Sequence, residues 1–462
     1  MKHVLHVYAA DAAVGQLSFD AQNNTYEFTY ATTWLSNTAA YYLAPAIPLG
    51  QPPHSPGSVQ RFLENLLPEG RALDIAAGMN HLSKNNIFGL VRLLGKEPMG
   101  AFTYSAMDAT VNDAAVLLAK ETREPIRRAV TDEELSSRIR DRETVPFQVW
   151  DGKVRLSLAG YQDKLQVMVE RDHISLVDGA LSSTHLLKPD SRSANTPHLV
   201  ANEHFCMSLA DRLDRLLTLK LPAAPVELRR IPEPILLIDR FDRSVQWSPD
   251  DPTRAASVRR LHVIDACQAL DFPSTFKYER NIGWGEEVKH IREGVSFARL
   301  FTLLDKMTTP AAARGYLVRW AVLQLLLGNS DAHGKNISFF VGPAGLTPAP
   351  MYDLVCVNVY GDRLESSMAM AYGDVFQIDE ITPYALADFA HRTHTSARQL
   401  ARAITTMANG VLQLAPELAR TGPYIGEEVE LVRKIAAFIS AQAQGLLAMA
   451  AEIPKVDRKL FG

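Results

Sequence analysis

The chain has 462 residues, 47% of them hydrophobic, with a formal charge of -4 and a pI near 6.4. That length suits about three domains with sizeable cores, and the near-neutral balance excludes a global basic field of the kind that binds nucleic acid without specificity. The three cysteines, Cys206, Cys267 and Cys356, are scattered through apolar surroundings, which fits a reducing compartment. No apolar run reads as long enough to span a membrane, and Met1-Lys2-His3-Val4 opens an alternation instead of a signal-peptide core, so a cytoplasmic protein is expected.

Strand-like alternation in Val4 to Tyr8, Val14 to Phe19 and Tyr26 to Tyr30 opens a small mixed domain reaching to about residue 110. Within it a Pro- and Gly-rich stretch from Pro45 to Gly57 precedes a short helix over Phe62 to Gly70 that Pro68 breaks. Residues 111–150 are rich in charge and read as a connecting segment, with a capping-box signal at Thr131-Asp132-Glu133-Glu134. Alternation returns in Val154, Leu156 and Leu158 and again in Leu165, Val167 and Val169, predicting two strands around Gly160. After about residue 200 helical periodicity dominates, apart from a strand over Ile235 to Ile238 and a later hairpin. The expected architecture is α+β, a strand-rich lobe followed by a helical lobe.

Asp331 and Asn336, five apart in Gly328-Asn329-Ser330-Asp331-Ala332-His333-Gly334-Lys335-Asn336, carry the most chemical information, together with Asp353. Phosphoryl transfer needs a carboxylate beside the attacking hydroxyl, then a hard oxygen ligand and a second carboxylate to hold magnesium on the nucleotide phosphates. An Asp and an Asn at this spacing arise roughly once by chance in a chain of this size, so the setting matters. Gly315 to Leu327 reads as a buried helix stopped by Gly328. Ile337 to Val341, the turn Gly342 to Gly345 and an apolar return predict a hairpin that brings Asp353 back beside Asn336. Alone, the loop also reads as a polar helix terminus whose Asp and Asn cap backbone groups.

Other stretches could hold a nucleotide. Ser157, Ala159, Gly160, Gln162 and Lys164 lie between two strand candidates, where small residues let N–H groups approach phosphate, although the stretch taken alone reads first as a plain hairpin turn. Lys188 ends the apolar run of Thr184 to Pro189 and either reaches phosphates or lies on the surface. Glu203 either orients Lys188 or favours the positive end of a helix dipole. Asp239 and Phe241 follow a strand, as a segment facing adenine does or as a strand edge with surface ion pairs does. His333 and Lys335 place positive charge inside the catalytic-type loop. His391 and His394 read as ordinary helix-surface residues.

Taken in order, Ser157 to Lys164, Thr184 to Pro189, Asn202 to Met207, Asp239 to Arg243, Asp265 to Leu270, Gly328 to Asn336 and Tyr352-Asp353 resemble the motifs of the HipA family of bacterial toxin kinases. Val14 to Leu17, Trp34-Leu35, Ile47 to Leu49, Leu66 to Gly70 and Asp379 to Pro383 extend the resemblance over nearly the whole chain. It implies a bilobed fold of the protein-kinase and phosphatidylinositol-kinase type, with an N-terminal small domain (1–110), a connecting segment (111–150), a nucleotide-binding N-lobe (151–245) and a helical C-lobe holding the catalytic loop (246–462). Carried over by motif, Asp331 is the catalytic base, Asn336 and Asp353 bind magnesium, and Lys188 contacts the phosphates of ATP. The same carry-over gives adenine to Asp239 to Phe241 and self-phosphorylation to Ser157. The implied partners are a helix-turn-helix antitoxin like HipB, operator DNA mainly through that antitoxin, and a protein target, glutamyl-tRNA synthetase being the best known in the family. A small-molecule kinase fits the same catalytic residues, and a silent module bridging antitoxin dimers is a reading from another class. Tyr278 to Gly285 carries no assignment.

Overall fold

A computed structural model describes residues 2–50, 54–106, 125–155, 162–283, 285–364 and 366–461. Ser157, Ala159 and Gly160 lie outside the described residues, as does part of the connecting segment. The chain divides into two compact units.

The first unit comprises Met1–Pro189, Arg229–Ile264 and Phe339–Leu346. Strands β1 (Lys2–Ala9), β2 (Ala12–Asp20) and β3 (Thr25–Tyr30) form a meander, as their alternation predicts. Leu5, Val7, Val14, Leu17, Tyr26 and Phe28 are buried, and polar residues intervene. Tyr30 fixes the Pro-rich stretch that follows, because its hydroxyl donates to the Ile47 carbonyl at 2.6 Å and accepts the Leu43 N–H at 2.9 Å. Pro68 separates two helices, α1 (Pro56–Glu64) and α2 (Gly70–Met79), and α3 (Ile87–Leu94) leads to β4 (Phe102–Ser105), giving the sheet order β3-β2-β1-β4. Beyond β5 (Ile126–Val130), Thr131 caps α4 (Asp132–Arg140) by accepting the Glu134 N–H at 3.2 Å.

Of the strand expected over Val154 to Leu158, the residues from Leu156 on lie outside the described residues, and Val154 ends a short hairpin. Asp151 and Gly152 both adopt positive φ, the conformation of a two-residue hairpin turn, so β6 (Val149–Trp150) pairs with β7 (Lys153–Val154). The partners of β8 (Leu165–Glu170) are β9 (His173–Asp178) and β10 (His185–Pro189). With β11 (Val226–Arg230) and β12 (Pro234–Asp239) these build a six-stranded sheet, order β11-β12-β10-β8-β9-β5. Leu165, Val167, Leu176, Leu187, Ile235 and Leu237 form its core with Phe147, Trp150 and the α4 residues Leu135 and Ile139. Further strands, β13 (Arg243–Trp247), β14 (Ala255–Arg260), β15 (Val263–Asp265), β16 (Ser338–Gly342) and β17 (Gly345–Pro348), follow; the hairpin of β16 and β17 was expected, but β11 and β13 to β15 were not. Arg243 interrupts the apolar alternation at the start of β13 because it is buried in ion pairs, beside the buried Arg240 that precedes the strand. Arg240 and Arg243 both bind Asp242, at 2.8 and 2.7 Å, and Arg243 reaches Glu97 at 3.2 Å.

The second unit comprises Asp190–Leu228, Asp265–Ser338 and Thr347–Gly462. Its main helices are α5 (Leu199–Leu217), α6 (Pro310–Leu327), α7 (Pro383–Arg392), α8 (Ala397–Thr421) and α9 (Glu427–Ala450). Apolar residues of α6 are buried all round the helix, as befits a central element. Leu400, Ile404, Met407, Val411, Leu414 and Leu418 make one stripe of α8, spaced three and four apart. Residues Glu427–Lys455 are long and apolar enough to cross a membrane by length and composition, against the expectation that no stretch is. Val432, Ile435, Ile439, Ala443 and Leu446 of that segment are buried within the protein.

Candidate active site

The catalytic-type loop begins where α6 ends. Gly328 takes φ 64° and ψ 38°, and its N–H caps the carbonyls of Gln324 and Leu325. An added Cβ would lie 2.5 Å from the Phe438 ring, so glycine is required on both backbone and packing grounds. The loop then folds over the Asp331 carbonyl, which accepts the His333 N–H at 2.8 Å and the Asn336 side-chain amide at 2.8 Å. The five-residue spacing thus closes a loop on the backbone of the candidate base. A carbonyl oxygen only accepts, so the Asn336 nitrogen must face it and Oδ1 is the amide's other, acceptor end.

Asp265 fixes the loop from a second direction. Its carboxylate caps the one-turn helix Ala266–Ala269, with Gln268 completing a capping box, and it binds Lys335 Nζ at 2.6 Å. The Ala266 N–H is shared between the carbonyls of Gly334 and Ile337, both at 3.0 Å, and the Gly334 N–H donates to Lys277 at 2.8 Å. Lys335, expected to face phosphate, therefore directs its ammonium to a buried carboxylate.

The hairpin returns Asp353 to this loop. Tyr352 donates its hydroxyl to the Lys335 carbonyl at 2.6 Å and lies 2.7 Å from Ser338 Oγ, and burial holds that phenol well above its ordinary range, so it stays neutral. The Asn329 amide lies 3.4 Å from the Asp353 carbonyl, and Asp353 itself takes φ 54°. Further on, Asn202 of α5 grips both backbone groups of Cys356, accepting its N–H at 2.8 Å and donating to its carbonyl at 2.9 Å. Asn336 and Asp353 are hard oxygen donors on segments tied to each other, a donor set that fits magnesium.

The Asp331 side chain is 51% exposed. Tyr278 donates to its Oδ1 at 2.5 Å, and His333 Nε2 stands 4.0 Å from the same oxygen. The rings of Tyr278 and His333 meet edge to face, 4.9 Å apart.

Asp331, His333, Lys335, Asn336 and Asp353 thus come together within the second unit, and Glu203 is buried on α5 of that unit. The remaining candidates belong to the first unit. Lys188 is buried on β10, on the opposite sheet face from its core neighbour Leu187. Asp239 ends β12, exposed, with His185 Nε2 at 2.7 Å, and Phe241 packs edge-on against Phe340 at 6.0 Å. Gln162 is half-buried and Lys164 buried, just before β8. Sequence reading gave no role to Asp265, Tyr278, Tyr352 or Asn202. The six-residue run from Asp265, the run from Asn202 to Met207 and the Tyr352-Asp353 pair were visible as motifs; Tyr278 carried no local signal.

Residues 5–105 match the model of the HipA N-terminal domain, and residues 156–415 match that of the HipA-like C-terminal domain. The chain belongs to the HipA family. It is 36% identical over 455 residues to the serine/threonine-protein kinase toxin HipA of Shewanella oneidensis, covering 98% of each chain. It is 30% identical over 413 residues to the putative kinase Y4mE of Sinorhizobium fredii, covering 89% of this chain and 90% of that one. Shewanella oneidensis HipA, solved in a complex of HipA, HipB and operator DNA, matches the structure with a TM-score of 0.84 and 35% identity, over 98% of this chain and 100% of that one. The mixed architecture expected from sequence, strand-rich first and helical later, is the HipA fold.

Proposed function

We propose that this HipA-family chain is an ATP- and magnesium-dependent serine/threonine protein kinase acting as the toxin of a two-component toxin-antitoxin pair in the cytoplasm. The observation that carries this reading is the loop from Gly328 to Asn336, which presents a half-exposed Asp331 while Asn336 and Tyr352 hold its backbone and Asp265 holds the Lys335 side chain. Asp331 accepts the proton of a serine or threonine hydroxyl. Asn336 and Asp353 hold magnesium, which when bound neutralises phosphate charge. Lys188 and the stretch Ser157 to Lys164 bind the phosphates, and Asp239 and Phe241 bind adenine. His333 stands beside the base with its Nδ1 accepting the Lys335 N–H, and Lys335 contributes through its hold on the loop.

The antitoxin is a HipB-like helix-turn-helix protein, through which the pair meets operator DNA, as the Shewanella oneidensis complex supports. A translation-related protein such as glutamyl-tRNA synthetase is the target, and phosphate on Ser157 silences the kinase by setting like charge against that of ATP.

Labelled ATP and a lysate of the natural host, followed by mass spectrometry, test this. Phosphoserine or phosphothreonine on one or a few proteins supports it; label only on small molecules, or none, removes it. Calorimetry separates the metal role: Asp353→Ala should lose the gain in ATP affinity that magnesium gives, and an unchanged gain would exclude Asp353 as a ligand.

A further inference from the structure

The phenol that reaches the base comes from Tyr278, in a stretch to which neither the sequence nor the proposed catalytic set gives a role. Its backbone is fixed from several sides. Lys277 accepts the Gly334 N–H at 2.8 Å, the Val295 N–H binds Phe276 at 2.8 Å, and the Gly294 N–H binds Glu279 at 3.1 Å. A Cβ on Gly294 would fall 1.8 Å from the Tyr278 carbonyl, so the two strands of chain touch as closely as glycine permits. Glu279, buried beside it, is held by Arg292 Nε at 2.7 Å and by the Ala371 N–H at 2.8 Å. The Lys277 ammonium lies over the Tyr278 ring at 5.6 Å, and the His333 ring lies against it. Such anchoring delivers the hydroxyl to one place.

That place is one oxygen of the carboxylate. Tyr278 at 2.5 Å and His333 Nε2 at 4.0 Å both approach Oδ1 of Asp331, yet half of the side chain stays open to solvent. The phenol therefore orients the carboxylate without covering it.

We propose that Tyr278 is a positioning residue for phosphoryl transfer: it holds Oδ1 of Asp331 so that Oδ2 meets the substrate hydroxyl. This rests on the kinase reading above. In the step, the substrate O–H bond breaks and its proton passes to Oδ2. The freed oxygen bonds to the γ-phosphorus of ATP while the bond from that phosphorus to the departing ADP breaks. Tyr278 forms no bond to the substrate; it fixes the angle at which the base acts, and small misplacements of a base cost rate steeply.

Tyr278→Phe tests this because it removes the hydroxyl and keeps the ring against His333. With γ-labelled ATP and host lysate, label reaching protein, the chain itself included, is measured against ATP concentration. The saturated rate should fall about 10- to 100-fold, as loss of a hydrogen bond to a charged group implies, while the half-saturating ATP concentration and the melting temperature stay at wild-type values. That split excludes a merely structural role, which would lower the melting temperature. An unchanged saturated rate, a raised rate, or a higher half-saturating ATP concentration with the rate kept would each overturn the proposal. Tyr278→Ala, assayed in parallel, should be at least as slow; wild-type speed there would overturn it too. If the wild-type protein transfers no label, it is the kinase reading that fails.

Discussion

Lys335 and Asp265 face each other at 2.6 Å with both side chains only 4% exposed. Removing one partner strands the other charge away from water. Lys335→Met should therefore destabilise the protein by about 3 to 5 kcal/mol and displace the loop enough to stop phosphoryl transfer. Changing Asp265 to Asn as well keeps its helix cap and removes the stranded charge, so the double variant should regain more than half of the loss. Urea titrations of the single and double variants measure both effects; a double variant no more stable than Lys335→Met would refute the stranded-charge explanation.

Gly328→Ala should cost about 2 to 4 kcal/mol, combining the left-handed backbone penalty with overpacking against Phe438. Adding Phe438→Leu relieves the packing part and leaves the backbone part. If the second substitution restores nothing, the ring contact at 2.5 Å is not what excludes a side chain there.

His262 gives the first unit a pH dependence. Burial lowers its pKa from the model-peptide value of 6.5 to about 4, and the imidazole donates through Nε2 to the Leu43 carbonyl at 2.9 Å. The unfolded chain takes up this proton near pH 6.5 and the folded chain only near pH 4, so the unfolded state binds more protons between those values. Stability from this group is present above pH 6.5 and is lost as pH falls toward 4, by about 3 kcal/mol in all. His262→Gln retains a donor for Leu43 and does not titrate, so its stability should change less with pH by about that amount. Denaturant midpoints at pH 7 and pH 4.5 decide this, and parallel losses in the two proteins would rule it out.

What the sequence made legible was local. The spacing of Asp331 and Asn336 reflects a side chain closing on a carbonyl, Gly328 marks the helix end, and alternation locates β1 to β3, because each is written within a few neighbouring residues. Contacts between distant positions left no period to read. Tyr278 meets Asp331 across 53 residues, and Asn202 meets Cys356 across 154. The buried Arg243 broke the apolar pattern at the start of β13, since its burial depends in part on Glu97, far away in the chain. The turn at Asp151-Gly152 was written locally too, as a dipeptide that favours tight hairpins.

Asp331→Asn tests most directly whether Asp331 is the base of a protein kinase. The side chain is half exposed and the substitution keeps its volume, so the fold and melting temperature should be retained. Incubated with γ-labelled ATP and host lysate, the wild-type protein should place phosphate on serine or threonine, while the variant should place none above background. A folded Asp331→Asn protein that labels its targets at the wild-type rate would contradict the account.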